Sequence, residues 1–212
     1  MNLDLYIITD EAVAGGRSHA EIARSAIAGG ADAIQLRDKE CGNREICRIG
    51  KAIRVINRQT GTLFIVNDHL DVALACGADG VHLGQGDLRA DVARQLAPPG
   101  FVIGVSVGNT EEALAAEEAG ADYVALSPVF STTSKGDAGP GLGCEVLREI
   151  TSRVSIPVIA IGGITCNNVR DVIAAGADGV AVISAVNGQP DITVATRELK
   201  DLITRCKRER LG

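Results

Sequence analysis

Tryptophan is absent from this chain, methionine occurs once, and Phe, Tyr and Trp together make only 2% of its 212 residues. A surface that binds single-stranded nucleic acid by stacking bases on aromatic rings has almost nothing to build with. Basic side chains are also in deficit, 21 against 27 acidic for a formal charge of −6, so no global positive field attracts polyanions. An anionic small substrate stays open, because with a screening length of about 8 Å a few nearby Arg and Lys outweigh distant carboxylates. Nowhere do about 18 apolar residues run together, and the start, Met1-Asn2-Leu3-Asp4-Leu5-Tyr6, has no basic segment of the secretory kind. A cytoplasmic protein without a membrane partner is expected. The six cysteines form no Cys-x-x-Cys pair and the three histidines are not spaced to complete a zinc site, so the thiols read as buried or incidental. No Pro/Ser-rich linker or low-complexity tract interrupts the chain, and 46% hydrophobic with 23% charged residues suits one domain over 1–212. A homo-oligomer is compatible with the sequence, but no helical pattern is apolar all round in a way that would specify one.

What the chain does have is a repeat. Gly-Ala-Asp recurs at Gly30-Ala31-Asp32, Gly77-Ala78-Asp79, Gly120-Ala121-Asp122 and Gly176-Ala177-Asp178, at intervals of 43 to 56 residues. Each copy follows an Ala-rich helical pattern and precedes an apolar run, so each is read as a helix end leading into a strand. Those strands are Ala33–Leu36, Gly80–Leu83, Tyr123–Leu126 and Gly179–Val182. The interval is twice the length of one strand-plus-helix unit, which places another strand between copies. Leu5–Ile8, Leu63–Val66, Val102–Val105 and Val158–Ile161 supply them. Eight short apolar strands separated by helices, at about 26 residues per unit, predict a (β/α)₈ TIM barrel. An open doubly wound sheet is the alternative. It usually shows a Gly-x-Gly-x-x-Gly turn after its first strand, and Thr9-Asp10-Glu11-Ala12-Val13-Ala14 shows none.

In such a barrel the site is assembled where strands run out into the following loops. Gln35, Arg37 and Lys39 alternate with Leu36 and Asp38, so period-two geometry points an amide and two cations the same way. A guanidinium fork beside a mobile ammonium suits a diphosphate; salt bridges to nearby acids are the plainer use for both. Asn67-Asp68 and Gln85-Gly86-Asp87 end neighbouring strands, where two carboxylates could share a hard divalent ion, magnesium by its ligand preference. Each Asp alone also reads as a helix N-cap. His82, facing the interior alone, is expected to pack or orient. Ser106 ends the fifth strand. Gly162-Gly163 and Ser184 lie after strands seven and eight, where barrels commonly bind phosphate through backbone amides. A hydroxyl-rich stretch from Ser131 to Lys135 runs into a Gly-rich loop, Gly136 to Gly143, which is expected to cover the substrate before a helix begins near Cys144.

Taken together, these motifs resemble the thiamine phosphate synthase family: Gln35-Leu36-Arg37-Asp38-Lys39, Asn67-Asp68, Ala78-Asp79-Gly80-Val81-His82-Leu83-Gly84-Gln85-x-Asp87, Gly104-Val105-Ser106, Thr132 to Lys135, Gly162-Gly163-Ile164, and Ala177-Asp178-Gly179 with Ile183-Ser184-Ala185. The resemblance runs over essentially the whole chain. It implies a transferase of thiamine biosynthesis on the (β/α)₈ fold, joining an aminopyrimidine methyl diphosphate to a thiazole ethyl phosphate, or its carboxylated precursor, and releasing pyrophosphate. It further implies that Gln35, Leu36, Arg37, Asp38, Lys39, Asn67, Ser106 and Lys135 hold the pyrimidine diphosphate, with Arg37, Lys39, Ser106 and Lys135 catalytic. Asp68 and Asp87 would hold magnesium, and Thr132, Thr133, Ser134, Gly163, Ile183 and Ser184 the thiazole phosphate. Three positions depart from the family pattern: Gly86 stands where Glu is usual, Ser134 where Thr is common, and Val107-Gly108-Asn109 where His often follows Ser106. The dissociative substitution implied needs neither a protein nucleophile nor a strong base, in keeping with a sequence that shows no Ser/His/Asp arrangement. A thiazole tautomerase on the same fold is the rival, and the joint presence of Asp68, Asp87, Arg37, Lys39 and Lys135 argues against it.

Overall fold

Residues 1–132 and 140–211 are described by a computed structural model of the chain. Among them eight strands alternate with helices: β1 (Leu5–Ile8), α1 (His19–Gly29), β2 (Ala33–Leu36), α2 (Asn43–Asn57), β3 (Leu63–Asn67), α3 (Leu70–Cys76), β4 (Gly80–Leu83) and α4 (Ala90–Leu96) form the first half. The second half is β5 (Val102–Val107), α5 (Thr110–Glu118), β6 (Tyr123–Leu126), α6 (Gly143–Thr151), β7 (Val158–Ile161), α7 (Val169–Ala174), β8 (Gly179–Val182), α8 (Ser184–Asn187) and α9 (Ile192–Leu211). All neighbouring strands pair in parallel, and β8 closes on β1 with Val180 beside Leu5 and Val182 beside Ile7. That closure makes the fold a TIM barrel and removes the open sheet from consideration. None of the described helices is long and apolar enough to cross a membrane.

The Gly-Ala-Asp repeat has a physical explanation. Gly30 and Gly77 cap α1 and α3 in the left-handed conformation, at φ 96° and 71°, which a side chain would oppose. The aspartate then clamps the preceding strand. Asp32, Asp79, Asp122 and Asp178 accept the backbone N–H of Leu5, Phe64, Ile103 and Val158 at 2.7–2.9 Å. Each returns its own N–H to a carbonyl at the same place: Leu5, Phe64, Ile103 and Val158 again. A backbone N–H at the start of every odd strand, on the first residue of β1 and β7 and the second of β3 and β5, is thus satisfied by the aspartate just before the next even strand. Cations reinforce three of the clamps, Lys200 on Asp32, Arg54 on Asp79 and Arg94 on Asp122. Asp122→Ala would leave the buried Ile103 N–H without an acceptor and is expected to cost about 2 kcal/mol. Asp122→Asn, which keeps an oxygen there, should cost less, and denaturant unfolding of the two variants measures the difference.

Apolar side chains divide into two layers. One lies between strands and helices; the other fills the barrel with Leu3, Tyr6, Ile8, Ala33, Ile65, Tyr123, Ala125, Ile159, Ile161, Ala181 and Ile183. The strands fall where the apolar runs place them, except that β3 and β5 run on through Asn67 and Val107. Asn67 still pairs opposite His82 and Ser106 opposite Ala125. The backbone ladder continues there while the side chains turn polar because they face the barrel mouth.

Candidate active site

Alternation along each strand delivers a ring of polar groups to the mouth. Inward positions run Ile65 to Asn67 on β3, Gly80 to His82 on β4, Gly104 to Ser106 on β5, and Tyr123 through Ala125 to Ser127 at the end of β6. A cavity of about 360 Å³ opens among Arg37, Lys39, Asn67, Asp68, His82, residues 84–87, Ser106 and Ser127. Arg37, Lys39, Asn67, Asp68, Asp87 and Ser106 are therefore brought together in one space.

Neither Asp68 nor Asp87 caps a helix: the N-cap of α3 is His69 and that of α4 is Arg89. Asp68 instead holds a left-handed backbone at φ 62°, which short polar residues tolerate better than most. Its N–H donates to the His82 carbonyl at 2.8 Å, tying the end of β3 to β4. Burial, then the hydrogen bond and charge of the Asp87 carboxyl, push the Asp68 pKa up to about 6, against a smaller downward pull from Lys39. Asp87 Oδ2 accepts the Gly84 N–H at 2.7 Å, so a one-turn loop aims it at its neighbour. Two carboxyls that resist ionising together are what a divalent cation relieves, and the donor set fits magnesium. No cluster of three or more His, Cys, Asp or Glu suited to a metal occurs among the described residues. Such an ion would therefore take its other ligands from water and substrate.

The second strand delivers its residues less uniformly. Arg37 stays in the mouth, 11% exposed, with Nη1 4.0 Å from Asp10. Gln35 is 2% exposed and lies below the cavity, its amide nitrogen donating to Tyr6 Oη at 2.8 Å. Leu36 points to the helix layer. Asp38 also turns away: its carboxylate takes the N–H groups of Glu40 and Cys41 at 2.8 and 2.9 Å and approaches His19 Nε2 at 3.3 Å. Burial alone would raise its pKa, but those hydrogen bonds prevail and bring it to about 2. The side chains of Gln35, Leu36 and Asp38 thus do not line the cavity where the family pattern put substrate. They order the strand and loop that present Arg37 and Lys39.

A second, smaller cavity lies beside the first, lined by Ser127, Thr132, residues 161–165 and 181–184. It unites Thr132, Gly163, Ile183 and Ser184. Gly163, at φ 62°, has no room for a side chain: a Cβ there would lie 2.7 Å from the Ser131 carbonyl oxygen and 2.8 Å from Phe130 Cβ. Asn168 holds the turn by donating to the Gly163 carbonyl at 2.9 Å. Ser127 borders both cavities. Thr133, Ser134, Lys135 and residues 136–139 of the stretch expected to cover the substrate lie outside the described residues.

Some of this was invisible in the one-dimensional reading. His82 Nε2 sits 2.9 Å from Ser106 Oγ, a Ser/His contact where none was expected, but Nδ1 faces the Tyr123 phenol at 2.9 Å rather than a carboxylate. His19, buried at the start of α1, joins Thr9 Oγ1 at 2.7 Å to Asp38. Ser127 carried no motif. Tyr6 and Tyr123 offered a signal: they are the only two tyrosines in the chain, and both fall on inward strand positions.

Comparison with known proteins agrees with the fold. A family model described as thiamine monophosphate synthase matches residues 5–186. A thiamine-phosphate synthase of Methanoregula boonei is 70% identical over 209 residues, covering 99% of this chain and 97% of the relative. One from Moorella thermoacetica is 52% identical over 96% of this chain and 97% of its own. A solved thiamine phosphate pyrophosphorylase from Pyrococcus furiosus superposes with a TM-score of 0.89 at 46% identity, over 96% of both chains. The chain belongs to the thiamine monophosphate synthase family.

Proposed function

We propose that the whole chain acts as one catalytic domain, a cytoplasmic thiamine-phosphate synthase whose two cavities hold its two phosphorylated substrates. The observation that carries the reading is the Asp68–Asp87 pair sharing one cavity with Arg37 and Lys39. Acids that call for a cation, facing two cationic side chains, make a site for a metal-bound diphosphate rather than for a monophosphate. Asn67 and Ser106 complete it, with Lys135 assigned by the family pattern. The neighbouring cavity, with Thr132, Gly163, Ile183 and Ser184, takes the thiazole phosphate, and Thr133 and Ser134 are assigned to the same end.

The bond that breaks joins the pyrimidine methylene carbon to the diphosphate oxygen. The electron pair leaves with pyrophosphate, and Arg37, Lys39, Ser106 and Lys135 donate to the charge as it grows. Magnesium held by Asp68 and Asp87 would neutralise part of the same charge. The aminopyrimidine delocalises the positive charge left on the methylene. The thiazole nitrogen, held across the Ser127 boundary, then forms the new carbon–nitrogen bond. Binding both partners in line and keeping water from the electrophile is the protein's main task.

Purified protein mixed with both phosphorylated substrates and magnesium is expected to release pyrophosphate only when all three are present. Release that ignores the thiazole, or turnover of the thiazole alone with chelator present, would overturn the assignment, the latter in favour of the tautomerase.

A further inference from the structure

A line of polar groups runs through the barrel interior beneath the mouth. Gln35 Nε2 lies 2.8 Å from Tyr6 Oη, Tyr6 Oη 3.1 Å from Tyr123 Oη, Tyr123 Oη 2.9 Å from His82 Nδ1, and His82 Nε2 2.9 Å from Ser106 Oγ. All but its last member are buried, with Tyr6 at 1% exposure and Tyr123 at 0%. Ser106 lines the diphosphate cavity, and its backbone is pinned by Gln85 Nε2 donating to its carbonyl at 2.7 Å.

Counting protons gives this line a direction. An amide nitrogen only donates, so Tyr6 accepts from Gln35. Tyr6 has one proton, and within the line Tyr123 Oη is the acceptor left for it. Tyr123 accepts there and has one proton in turn, which goes to His82 Nδ1. Nδ1 is therefore an acceptor and carries no hydrogen. The neutral imidazole keeps its hydrogen on Nε2 and donates it to Ser106 Oγ, whose own proton is released toward the cavity. Run the other way, Ser106 would donate inward and offer only lone pairs to the cavity, the wrong polarity for a diphosphate oxygen. Burial raises the pKa of both phenols above the ordinary value, so both keep their protons.

We infer that Gln35, Tyr6, Tyr123 and His82 form a buried relay that fixes the Nε2–H tautomer of His82 and thereby makes Ser106 a hydrogen-bond donor to the anionic substrate. The residues act through Ser106 and are positioning residues. The direction also separates this Ser/His contact from a nucleophile and its base, because here the histidine gives a hydrogen to the serine rather than removing one. The inference rests on Ser106 facing the pyrimidine diphosphate as proposed above, but the tautomer can be read without substrate.

The test is long-range ¹⁵N–¹H correlation NMR of the full-length protein, with the His82 signals identified by their loss in His82→Gln. Nε2–H with an unprotonated Nδ1 is expected; an Nδ1–H tautomer, or an imidazolium at about pH 8, overturns the relay. Gln35→Met keeps the volume but removes the donor at the head of the line, and a mixture of tautomers is expected. An unchanged pure Nε2–H signal in that variant overturns Gln35 as the source of direction. Tyr123→Phe is expected to lower kcat/KM for the pyrimidine diphosphate about tenfold, the loss of one hydrogen bond, with KM for the thiazole phosphate unchanged. Wild-type kinetics in folded Tyr123→Phe overturn the relay's role in the reaction. Full activity of Ser106→Ala beside the expected wild-type tautomer would uphold the relay and defeat the substrate placement instead.

Discussion

Asp87→Ala is expected to abolish pyrophosphate release while the barrel stays folded. Asp87 is exposed at the mouth, and its carboxylate accepts the Gly84 N–H, a group that water can reach once the acid is gone. Stability should therefore change by no more than about 1 kcal/mol. Activity has no such substitute. Removing the acid leaves Asp68 alone opposite a doubly phosphorylated group, and the leaving-group charge loses the cation that two carboxylates would hold. A fall in kcat/KM of roughly a thousandfold or more is expected, the scale on which lost electrostatic stabilisation of a transition state is felt. Saturating magnesium should not restore it. Turnover equal to wild type at high magnesium would defeat the assignment of the acid pair, whatever the substrates prove to be.

The same pair predicts how the metal-free protein responds to pH. The Asp68 pKa is raised to about 6 in the fold, above the ordinary carboxyl value, chiefly by burial and then by Asp87. The folded state thus binds the proton more tightly than the unfolded chain. The stability this contributes is complete below the unfolded pKa of about 4 and is lost as pH rises through about 6. With chelator present, thermal unfolding is expected to shift to lower temperature between about pH 4 and about pH 7. Added magnesium should raise it again above about pH 6, where both carboxylates are free to bind, and do little below. A magnesium effect equally large at about pH 4 would show that the ion binds elsewhere.

The sequence was informative where one physical demand acts alone. The four Gly-Ala-Asp copies predict four helix ends and four strand starts because a left-handed cap needs glycine. The clamp on the neighbouring strand needs aspartate, although its partner N–H groups lie 15 to 27 residues away and are invisible in one dimension. Strand ends were less legible. β5 continues through Ser106 and Val107 because pairing obeys the backbone, whereas the reading stopped where the side chains turned polar. Gln35 and Arg37 share a face as alternation requires, yet only Arg37 reaches the cavity. Two residues of strand rise separate them, and Tyr6 engages the lower one. Asp38, which the family resemblance gave to the substrate, has a side chain that clasps the loop: it takes the neighbouring N–H groups of Glu40 and Cys41 and reaches His19, which is brought beside the loop only by the packing of α1. Tyr6, Tyr123 and His82 meet only once β1, β4 and β6 face one another across a closed barrel, which no spacing encodes.

Gly104→Ala should be among the most damaging single-methyl changes in the molecule. Gly104 stands opposite Tyr123 in the β5–β6 register, both facing the barrel interior. A Cβ built there would lie 2.0 Å from Tyr123 Cζ and 2.3 Å from its oxygen, far inside van der Waals contact. Something would have to move by more than 1 Å, roughly, to reach an ordinary carbon–carbon separation of about 3.5–4.0 Å. A flexible side-chain tip could yield, but this ring is held on both sides. It meets Tyr6 edge-on with centroids 6.2 Å apart and stacks on His82 at 5.6 Å, while its hydroxyl bonds both. The backbone of β5 is equally constrained by pairing with β4 and β6. The strain is therefore expected to reach or exceed the upper end of overpacking costs, about 3 kcal/mol. Because the ring also carries the hydroxyl that orients His82, activity should fall in whatever fraction folds. If the collision is the cause, Tyr123→Leu should relieve it. Leucine is shorter and jointed, so the Gly104→Ala/Tyr123→Leu pair is expected to be more stable than the two single costs would sum to, by about 1–3 kcal/mol. Denaturant unfolding of the four proteins closes the cycle. A Gly104→Ala cost below about 1 kcal/mol, or strict additivity of the pair, would mean that the barrel interior has slack which the register of these two residues does not show.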